Sequence, residues 1–440
     1  MNVVRWVRRG SLVAVALVFA VAVPKGDSSA GAPNSRALYT FVEIGRVLGP
    51  SDIGVPARDN TGTSDVSAIE LPDGRIRIYF HRITNGPDSV VLASAISSDG
   101  VHFSIEPGIR EPADRAPMEG FASPFVFQVP DGRYRLFYNG CQGVNGGPRC
   151  GIFSEISSDG LTFVRDPGLR LPRFSPFIQG EEVRCTAIVK LSDGRYRMYC
   201  SQQVTPDIAP NILGSGVSAI FSAVSSDLLN WTSEPGVRIG PGAPSLTGDA
   251  RHPTVVASSG GSVTLVFYSY PASGPGLPRE MIATSKDGLT FDSETDTGIK
   301  GTEPSFVGLG NGSGLLYYGN GADPPTDGST IHVARVFLNR LLTVTVHGHG
   351  SVASTPAGIS CPKTCTATFA DDGQPVMLRA TARRGYLFAR WSGSCTGHGR
   401  CSLRLDGDKR VGALFVRVRC DLQKRRKQHT ETSLPRKLSP

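Results

Sequence analysis

The chain repeats one seven-residue phrase four times, and this repetition restricts the fold more than any other feature of the sequence. The copies are Ser-Ser-Asp-Gly-Val-His-Phe from Ser97, Ser-Ser-Asp-Gly-Leu-Thr-Phe from Ser157, Ser-Ser-Asp-Leu-Leu-Asn-Trp from Ser225 and Ser-Lys-Asp-Gly-Leu-Thr-Phe from Ser285. Self-similarity at a long period is typical of proteins built from repeated structural units. We expect the Asp of each copy to cap a turn between outer strands, because Asp side chains accept hydrogen bonds from nearby backbone amides in turns.

A second phrase precedes these copies and predicts a β-hairpin. Pro-Asp-Gly-Arg follows Leu71 and Val129, and Ser-Asp-Gly-Arg follows Leu191, each time ahead of alternating Arg and large apolar residues. Alternation with period two indicates a strand with one buried face, and Gly supplies the positive φ of a tight turn. The spacings of the turn glycines, 58, 62 and 67 residues, suit four-stranded propeller blades with long loops; these glycines are Gly74, Gly132, Gly194 and Gly261.

A fifth unit begins at Glu303 but lacks the Ser-x-Asp-Gly phrase, so its outer strand is predicted to come from the other end of the repeat region. Residues 39–48 resemble residues 161–170, which begin with the last three residues of the phrase in the second unit. A strand at Phe41 that pairs into the fifth blade would close the ring and remove open sheet edges. The predicted fold is all-β, with a five-bladed β-propeller over residues 38–337. An open run of hairpins or a sandwich is the alternative, although neither explains five units at this period.

The two ends of the chain differ from its body in composition. Three arginines precede an apolar run over residues 12–23, and small residues follow it, so residues 1–30 are predicted to be a secretory signal peptide and the protein to be extracellular. A membrane anchor is the alternative, but the run is shorter than the roughly 20 residues of a spanning helix. Residues 421–440 are polar and basic and are predicted to be disordered. Both ends contribute to the formal net charge of +8, so we expect no nucleic-acid partner and only a weak contact of the tail with an anionic cell surface.

Export to an oxidising compartment would favour disulfides among the nine cysteines. Three pairs are close in sequence and a fourth faces across a hairpin, which predicts Cys141–Cys150, Cys185–Cys200, Cys361–Cys365 and Cys395–Cys401. Cys420 is then unpaired. Zinc binding is the weaker alternative, because the sequence has no Cys-x-x-Cys pair with accompanying histidines. We therefore predict no metal and no cofactor; a structural Ca²⁺ is compatible with the sequence but is not indicated by it.

The pattern changes at Leu341, where Gly-x-Gly-x-Val, Cys-x-x-x-Cys and Tyr-x-Phe-x-x-Trp-Ser-Gly-x-Cys appear in turn. Residues 341–418 resemble the small bacterial repeat domain related to the internalin B-type repeats. The resemblance implies a compact β-rich module of secreted or surface proteins, usually non-catalytic. A domain this small needs staples, so we expect Phe388 and Trp391 in its core beside two short disulfides. A sugar-stacking role for Trp391 is the alternative.

The first strand of every propeller blade lines a central funnel, so residues at the starts of these strands converge. Counting eight residues back from each turn Asp, or from its equivalent, gives Asp65, Ser123, Cys185, His252 and Glu303. Further polar residues lie just upstream: Glu119, Glu181, Glu182, Arg184, Asp249 and Arg251. Several carboxyls in one funnel are what glycosidic cleavage requires, because one must protonate the leaving oxygen while another acts as base or nucleophile.

The hairpins, and above all Ser-Ser-Asp-Leu-Leu-Asn-Trp, resemble the five-bladed propeller glycoside hydrolases of family 43 and their relatives in families 32 and 68. The resemblance covers about residues 38–337. It implies hydrolysis of furanosides or xylosides by an Asp base at the start of blade 1, an Asp that tunes a pKa and a Glu acid from later blades. Asp65 occupies the position of the base, with Val66 where the family usually has Pro.

The other two roles of that family do not transfer directly. Cys185 occupies the position of the pKa-tuning Asp, and Glu182 is the nearest substitute. Asp249 lies where the acid is expected. We therefore predict Asp65, Glu182 and Asp249 as catalytic, and as substrate-binding Glu119, Glu181, Arg184, Arg251, His252 and Glu303.

Two functions from different classes fit this pattern. The first is a secreted glycoside hydrolase acting on oligo- or polysaccharide by carboxylate acid and base catalysis. The second is a non-catalytic carbohydrate-binding or cell-surface interaction protein on a degenerate propeller. Arg115, Arg184 and Arg251 raise a third possibility, a sialidase that holds a substrate carboxylate, but the repeated phrase is one residue short of the sialidase box and sialidases have six blades. Ion pairing with the neighbouring acids is the simpler role for these arginines.

Overall fold

The computed structural model describes residues 38–56, 61–84, 90–110, 118–142, 149–172, 183–204, 217–241, 243, 248–270, 277–310, 313–320 and 329–418. The predicted signal peptide, the basic tail and Cys420 lie outside these residues. No helix among the described residues is long and apolar enough to cross a membrane.

The first strand, β1 (Tyr39–Leu48), and a 3-10 turn (Pro50–Ile53) lead into four consecutive sheets. The first sheet is β2 (Gly62–Glu70), β3 (Ile76–Ile83), β4 (Val90–Ser97) and β5 (Ser104–Ile105). The second is β6 (Met118–Gln128), β7 (Tyr134–Gln142), β8 (Arg149–Ser157) and β9 (Val164–Arg165), with β10 (Leu171–Pro172) also paired to β8. The third is β11 (Val183–Lys190), β12 (Tyr196–Gln203), β13 (Ser218–Ser225) and β14 (Thr232–Ser233). The fourth is β15 (Arg251–Ser259), β16 (Ser262–Ser269), β17 (Arg279–Ser285) and β18 (Phe291–Lys300).

The fifth sheet joins the two ends of the propeller. It contains β19 (Thr302–Gly308), β20 (Gly314–Gly319) and the first half of β21 (Ile331–His347), and β1 is its outermost strand. β1 runs antiparallel to β21 with Phe41 opposite Val336, and β20 places Tyr317 opposite Val333. The inner strands contact one another in a ring, with β19 next to β2. The predicted five-bladed propeller, with its closing strand at Phe41, is confirmed.

The Ser-x-Asp-Gly phrases form tight turns between the third and fourth strands. In the first copy, the Asp99 carboxylate accepts the backbone N–H groups of Val101 and His102 at 2.9 and 2.8 Å, and the Ser97 hydroxyl accepts that of Gly100 at 2.9 Å. The other three copies repeat these bonds. The Asp of the phrase therefore caps a turn, as the sequence indicates.

Each of these turns also receives a side chain from the preceding blade. Tyr79 donates its hydroxyl to the Gly160 carbonyl, and Tyr199 donates to the Gly288 carbonyl, both at 2.8 Å. Tyr317 of the fifth blade donates to the Gly100 carbonyl of the first at 2.8 Å, across the closure of the ring. In the second blade a phenylalanine takes the Tyr position and packs edge-on against Trp231 of the third. The repeated phrase thus connects neighbouring blades.

The C-terminal module shares a strand with the propeller. The second half of β21 pairs with β24 (Thr366–Ala370) and, in parallel, with β28 (Lys409–Arg417), which pairs with β26 (Tyr386–Gly393). A second sheet contains β22 (Gly350–Thr355), β23 (Ser360–Cys361), β25 (Val376–Ala382) and β27 (Cys401–Leu403). Trp391 is 2% exposed in the core between the sheets and packs against the partly buried Phe388. This places Trp391 in the core and not on a stacking surface.

Three of the four predicted disulfides are formed: Cys185–Cys200, Cys361–Cys365 and Cys395–Cys401. The first joins β11 to β12 inside the third blade, and the other two lie in the C-terminal module. Cys141 and Cys150 are opposite one another in the register of β7 and β8. Their side chains are outside the described part of the structure, so this pair stays a prediction.

Candidate active site in the propeller funnel

Each inner strand is irregular at the same position, and four of the five irregularities use a residue in the left-handed region. Asp65, Ser123, His252 and Glu303 have φ values of 51°, 52°, 44° and 57°. The register of each inner strand shifts there, which marks a β-bulge. Bulges re-aim side chains, and a non-Gly residue with positive φ costs about 1–3 kcal/mol, so the surrounding structure must hold it in place. In the third blade Cys185 takes this position and is tied to Cys200 instead.

Hydrogen bonds between blades hold these bulges. The hydroxyl two residues after each of three bulges accepts a backbone N–H of a neighbouring inner strand: Ser67 from Val126 at 2.9 Å, Ser305 from Ala68 at 2.8 Å and Thr254 from Phe306 at 3.0 Å. The backbone N–H of His252 also donates to Ser201 of the third blade at 3.1 Å. The hydrogen bonds between neighbouring inner strands therefore hold the strained residues in place.

Asp65 is the centre of the cluster. Its Oδ2 lies 3.1 Å from Nδ1 of His81, and its Oδ1 accepts a long 3.4 Å bond from the Ser123 hydroxyl. The backbone N–H of Asp65 donates to Oε2 of Glu303 at 2.7 Å. The Asp65 side chain is 17% exposed and that of His81 is 5% exposed, so the carboxylate remains accessible while its histidine partner is buried.

His252 joins the two carboxyls from the fourth blade. One ring nitrogen of His252 and one carboxylate oxygen each of Asp65 and Glu303 lie within 4.8 Å of one another. His252 is 2% exposed, and its Nε2 has no hydrogen-bond partner among the described residues. Three such atoms are close enough to share a divalent cation. The positive charge of Arg184 also acts on all three groups, however, and it disfavours the binding of a cation. The absence of a metal therefore stays a prediction.

The two carboxyls differ in protonation because their surroundings differ. Burial raises the pKa of Asp65, but the hydrogen bond with His81 and the positive charges around it outweigh burial and hold this pKa well below its usual range. Burial and the Asp65 charge raise the pKa of Glu303 from 4.5 to about 8. Burial and the charge of Arg184 lower the pKa of His252 to about 3. At neutral pH the cluster therefore holds an ionised Asp65, a protonated Glu303 and a neutral His252.

A third carboxyl lies behind Glu303. Glu280, on β17, is 0% exposed, and neither of its carboxyl oxygens has a hydrogen-bond partner among the described residues. Burial, and after it the neighbouring Glu303, raise the pKa of Glu280 well above 4.5. Sequence reasoning missed both Glu280 and His81. Neither lies on an inner strand; the only available signal is the register of the first hairpin, which places His81 opposite Ser64, the residue before Asp65.

Asp249 makes a different set of contacts. Its Oδ1 accepts the backbone N–H of Ser218 at 2.7 Å, its Oδ2 accepts that of Tyr270 at 3.2 Å, and Arg251 Nε lies 3.0–3.1 Å from both oxygens. The Arg251 guanidinium lies 5.2 Å from the Tyr270 ring centroid. No contact among the described residues joins Asp249 to Asp65. Glu181 and Glu182 lie outside the described residues, as does the side chain of Glu119, so their roles stay predictions.

The central channel continues below the cluster as a cavity of about 290 Å³. All five inner strands line it beyond their bulges, with mostly apolar residues such as Phe125, Ile188, Val255 and Phe306. It contains none of the clustered carboxyls, histidines or arginines. We therefore regard it as the hub of the blades, and the candidate site as the group of residues around Asp65 at the strand starts.

A comparison with protein families identifies the C-terminal module. Residues 341–419 match the family model of the divergent InlB B-repeat domain. This confirms the resemblance drawn from the C-terminal pattern. No curated protein matches the chain.

Solved structures similar to the chain include glycoside hydrolases. One belongs to the GH130 family of mannoside phosphorylases, which contains glycoside hydrolases that target β-1,2 mannosidic linkages in Candida mannan. It is 17% identical, covers 68% of this chain and 94% of its own, and has a TM-score of 0.44. A thermostable family-43 glycoside hydrolase is 16% identical over 62% of this chain and 89% of its own, with a TM-score of 0.44. An N-acetylgalactosamine deacetylase from F. plautii is 12% identical over 67% and 95%, with a TM-score of 0.46. Similarities this distant leave the function to be argued from the site itself.

Proposed function

We propose that the propeller is a glycoside hydrolase in which Asp65 and Glu303 form the catalytic pair. The observation that carries the proposal is the geometry of these two carboxyls. They come from adjacent inner strands, approach within 4.8 Å, and are held by the bond from the Asp65 amide to Glu303. Their pKa values are displaced in opposite directions, which is how acid and base roles are divided in glycosidases. Glu303, grouped with the substrate-binding residues from sequence, thus takes the acid role in place of Asp249.

The short separation favours a retaining mechanism. Retaining glycosidases place their carboxyls about 5–5.5 Å apart, whereas inverting enzymes need about 6.5–9.5 Å to leave room for a water. In the first step Glu303 gives its proton to the glycosidic oxygen as that C–O bond breaks, and Asp65 forms a bond to the anomeric carbon. In the second step ionised Glu303 takes a proton from water, whose oxygen displaces Asp65. One water is consumed, and both carboxyls return to their starting states.

Neighbouring residues support these roles. The bond from His81 stabilises the ionised carboxylate and fixes its orientation. His252 is neutral and has a free ring nitrogen among the described residues, so it can bond a sugar hydroxyl.

A non-catalytic carbohydrate-binding protein is the second candidate. It is favoured by the hydrogen bond from the Asp65 backbone N–H, which gives the Glu303 carboxyl a partner even when no substrate is bound. This candidate predicts binding of a sugar with no turnover by the wild-type protein.

The test is a screen of the purified protein against α- and β-aryl glycosides, followed by two variants. Glu303→Gln should remove activity on substrates with poor leaving groups while retaining more activity on dinitrophenyl glycosides, which do not need an acid. Asp65→Asn should be inactive on both. Glu70→Gln is the matched control, because Glu70 is an exposed carboxyl on the same strand as Asp65.

Product stereochemistry and metal dependence complete the test. NMR of the first-formed product should show retention of the anomeric configuration. Full activity in Asp65→Asn would refute the assignment. Turnover that requires an added divalent cation and disappears with chelator would assign the Asp65, His252 and Glu303 cluster to a metal instead.

A further inference from the structure

We propose that the C-terminal module carries a second binding site, for an acidic polysaccharide. The site is a groove of about 550 Å³ on the face of β25, β26 and the loop before β27. Its lining includes Arg379, Arg400 and His398, together with the apolar side chains of Met377, Phe388 and Trp391. No part of the predicted catalytic machinery lies there.

The two arginines are placed side by side by strand pairing. Leu378 of β25 is opposite Cys401 of β27 in an antiparallel pair. Arg379 comes directly after Leu378, and Arg400 comes directly before Cys401, so the two arginines are neighbours across the strands. Both are exposed. Neither forms an ion pair within the described residues. Two guanidinium groups in one groove repel each other, and a bound anion would relieve this repulsion while accepting their forked N–H groups.

The acids of the module are all occupied elsewhere. Residues 341–418 contain ten Lys and Arg residues but four acids, Asp371, Asp372, Asp406 and Asp408. Asp371 pairs with Arg340 and Asp406 with Lys409. Asp408 accepts the Leu341 amide and Asp372 accepts the Gln374 amide. The groove therefore faces solvent as a cationic surface that no acid of the module neutralises within the described structure.

The loop that carries His398 and Arg400 is built to hold its shape. The Cys395–Cys401 disulfide closes it. From inside the loop, the Trp391 backbone N–H donates to the Gly397 carbonyl at 2.7 Å and the Trp391 indole donates to the Gly399 carbonyl at 2.8 Å. His398 donates its Nδ1 proton to the Ala389 carbonyl. A preformed wall lowers the entropic cost of binding.

The groove combines anion recognition with an apolar lining. Met377 is 46% exposed and Phe388 also lines the groove, so one face of a sugar ring can pack on these side chains while its carboxylate or sulfate group meets the arginines. The choice of a polysaccharide over an acidic peptide rests on the glycoside hydrolase proposed above. The charge argument does not depend on it.

The experiment measures binding of the full-length protein to immobilised polygalacturonate, dextran sulfate, neutral dextran and poly-L-glutamate. We expect binding to one or both acidic polysaccharides, with the first two probes separating carboxylate from sulfate recognition. The double variant Arg379→Gln/Arg400→Gln should weaken it at least about tenfold, because charge-assisted hydrogen bonds are worth more than neutral ones. The control Arg383→Gln/Arg384→Gln removes the same charge from the exposed turn between β25 and β26 and should weaken it less than about threefold.

Three outcomes would overturn the proposal. They are equal losses in the two double variants, binding to neutral dextran as strong as to the acidic polymers, and a preference for poly-L-glutamate. Aryl glycoside hydrolysis is measured in the same samples and should be unchanged by Arg379→Gln/Arg400→Gln. Because polymer binding should persist in Glu303→Gln, a failure of the catalytic proposal and a failure of the groove would be seen separately.

Discussion

Replacing the proposed acid should make the protein more stable at neutral pH, and this is the sharpest consequence of the site. In Glu303→Gln the amide oxygen can still accept the Asp65 backbone N–H, so the contact that joins blades 1 and 5 is preserved. What disappears is a carboxyl that the fold holds protonated against its ordinary tendency to ionise. Residues placed for function often lower stability in this way.

The size and sign of the effect follow from the pKa. The unfolded chain releases the Glu303 proton near pH 4.5, whereas the folded protein holds it until about pH 8. Between these values the folded state binds more protons, so the free energy of unfolding falls as pH rises. Each pH unit in this window lowers the free energy of unfolding by about 1.4 kcal/mol. At pH 7 the wild type is therefore destabilised by about 3 kcal/mol, whereas Glu303→Gln is not. Below pH 4.5 both side chains are neutral in both states, and the gain should vanish.

Urea unfolding at pH 4, 5.5 and 7 measures this directly. The free energy of unfolding of Glu303→Gln minus that of the wild type should be near zero at pH 4 and rise steadily to about 3 kcal/mol at pH 7. Glu70→Gln removes an exposed carboxyl from the same inner strand as Asp65 and should show no such rise. A difference that does not depend on pH would refute the claim that folded Glu303 is protonated, and with it the acid role.

Other consequences can be tested separately. The kcat/KM for an aryl glycoside should fall above about pH 8, as Glu303 loses its proton. It should persist below the usual pKa of an Asp, because the pKa of Asp65 is lowered. A pH–rate profile with a single fall near pH 6 would contradict this. Asp65→Asn should abolish turnover yet leave sugar binding nearly intact, as equilibrium binding would show. Tyr317→Phe should cost about 1 kcal/mol in urea unfolding, because it removes the buried bond to the Gly100 carbonyl. Deletion of residues 38–48 should destroy cooperative unfolding, since the fifth blade loses its outermost strand.

The positions of the funnel residues could be predicted from the sequence because every blade uses the same hairpin register. Counting back from the turn Asp found Asp65, Ser123, His252 and Glu303, and these are the residues with positive φ on the inner strands. The closing strand could be predicted for a similar reason: a unit without an outer strand requires one from elsewhere. Repetition thus carries long-range information that a single blade does not.

The division of labour among these residues could not be predicted in the same way. The pKa of Asp65 depends on His81 in its own hairpin and on charges from other blades, and that of Glu303 depends on Asp65. Glu280 occupies a third strand, where alternation alone predicts no functional residue. Asp249 looked like an acid from its place in the chain, but the structure shows its oxygens bonded to two backbone amides and to Arg251. Such contacts are properties of the assembled ring.

The place where the ring closes explains why fold and function are linked in this protein. Asp65 begins the inner strand of blade 1 and Glu303 that of blade 5, so the proposed catalytic pair spans the junction between the first and last blades. The Ala68 amide bonds to Ser305 across the same junction, as does the Tyr317 hydroxyl to Gly100. The full rise in the pKa of Glu303 requires blade 1 beside blade 5, because the Asp65 charge adds to burial in raising it. The site therefore exists only when β1 has completed blade 5 and brought it against blade 1, so an open ring would lose the acid before it lost the individual blades.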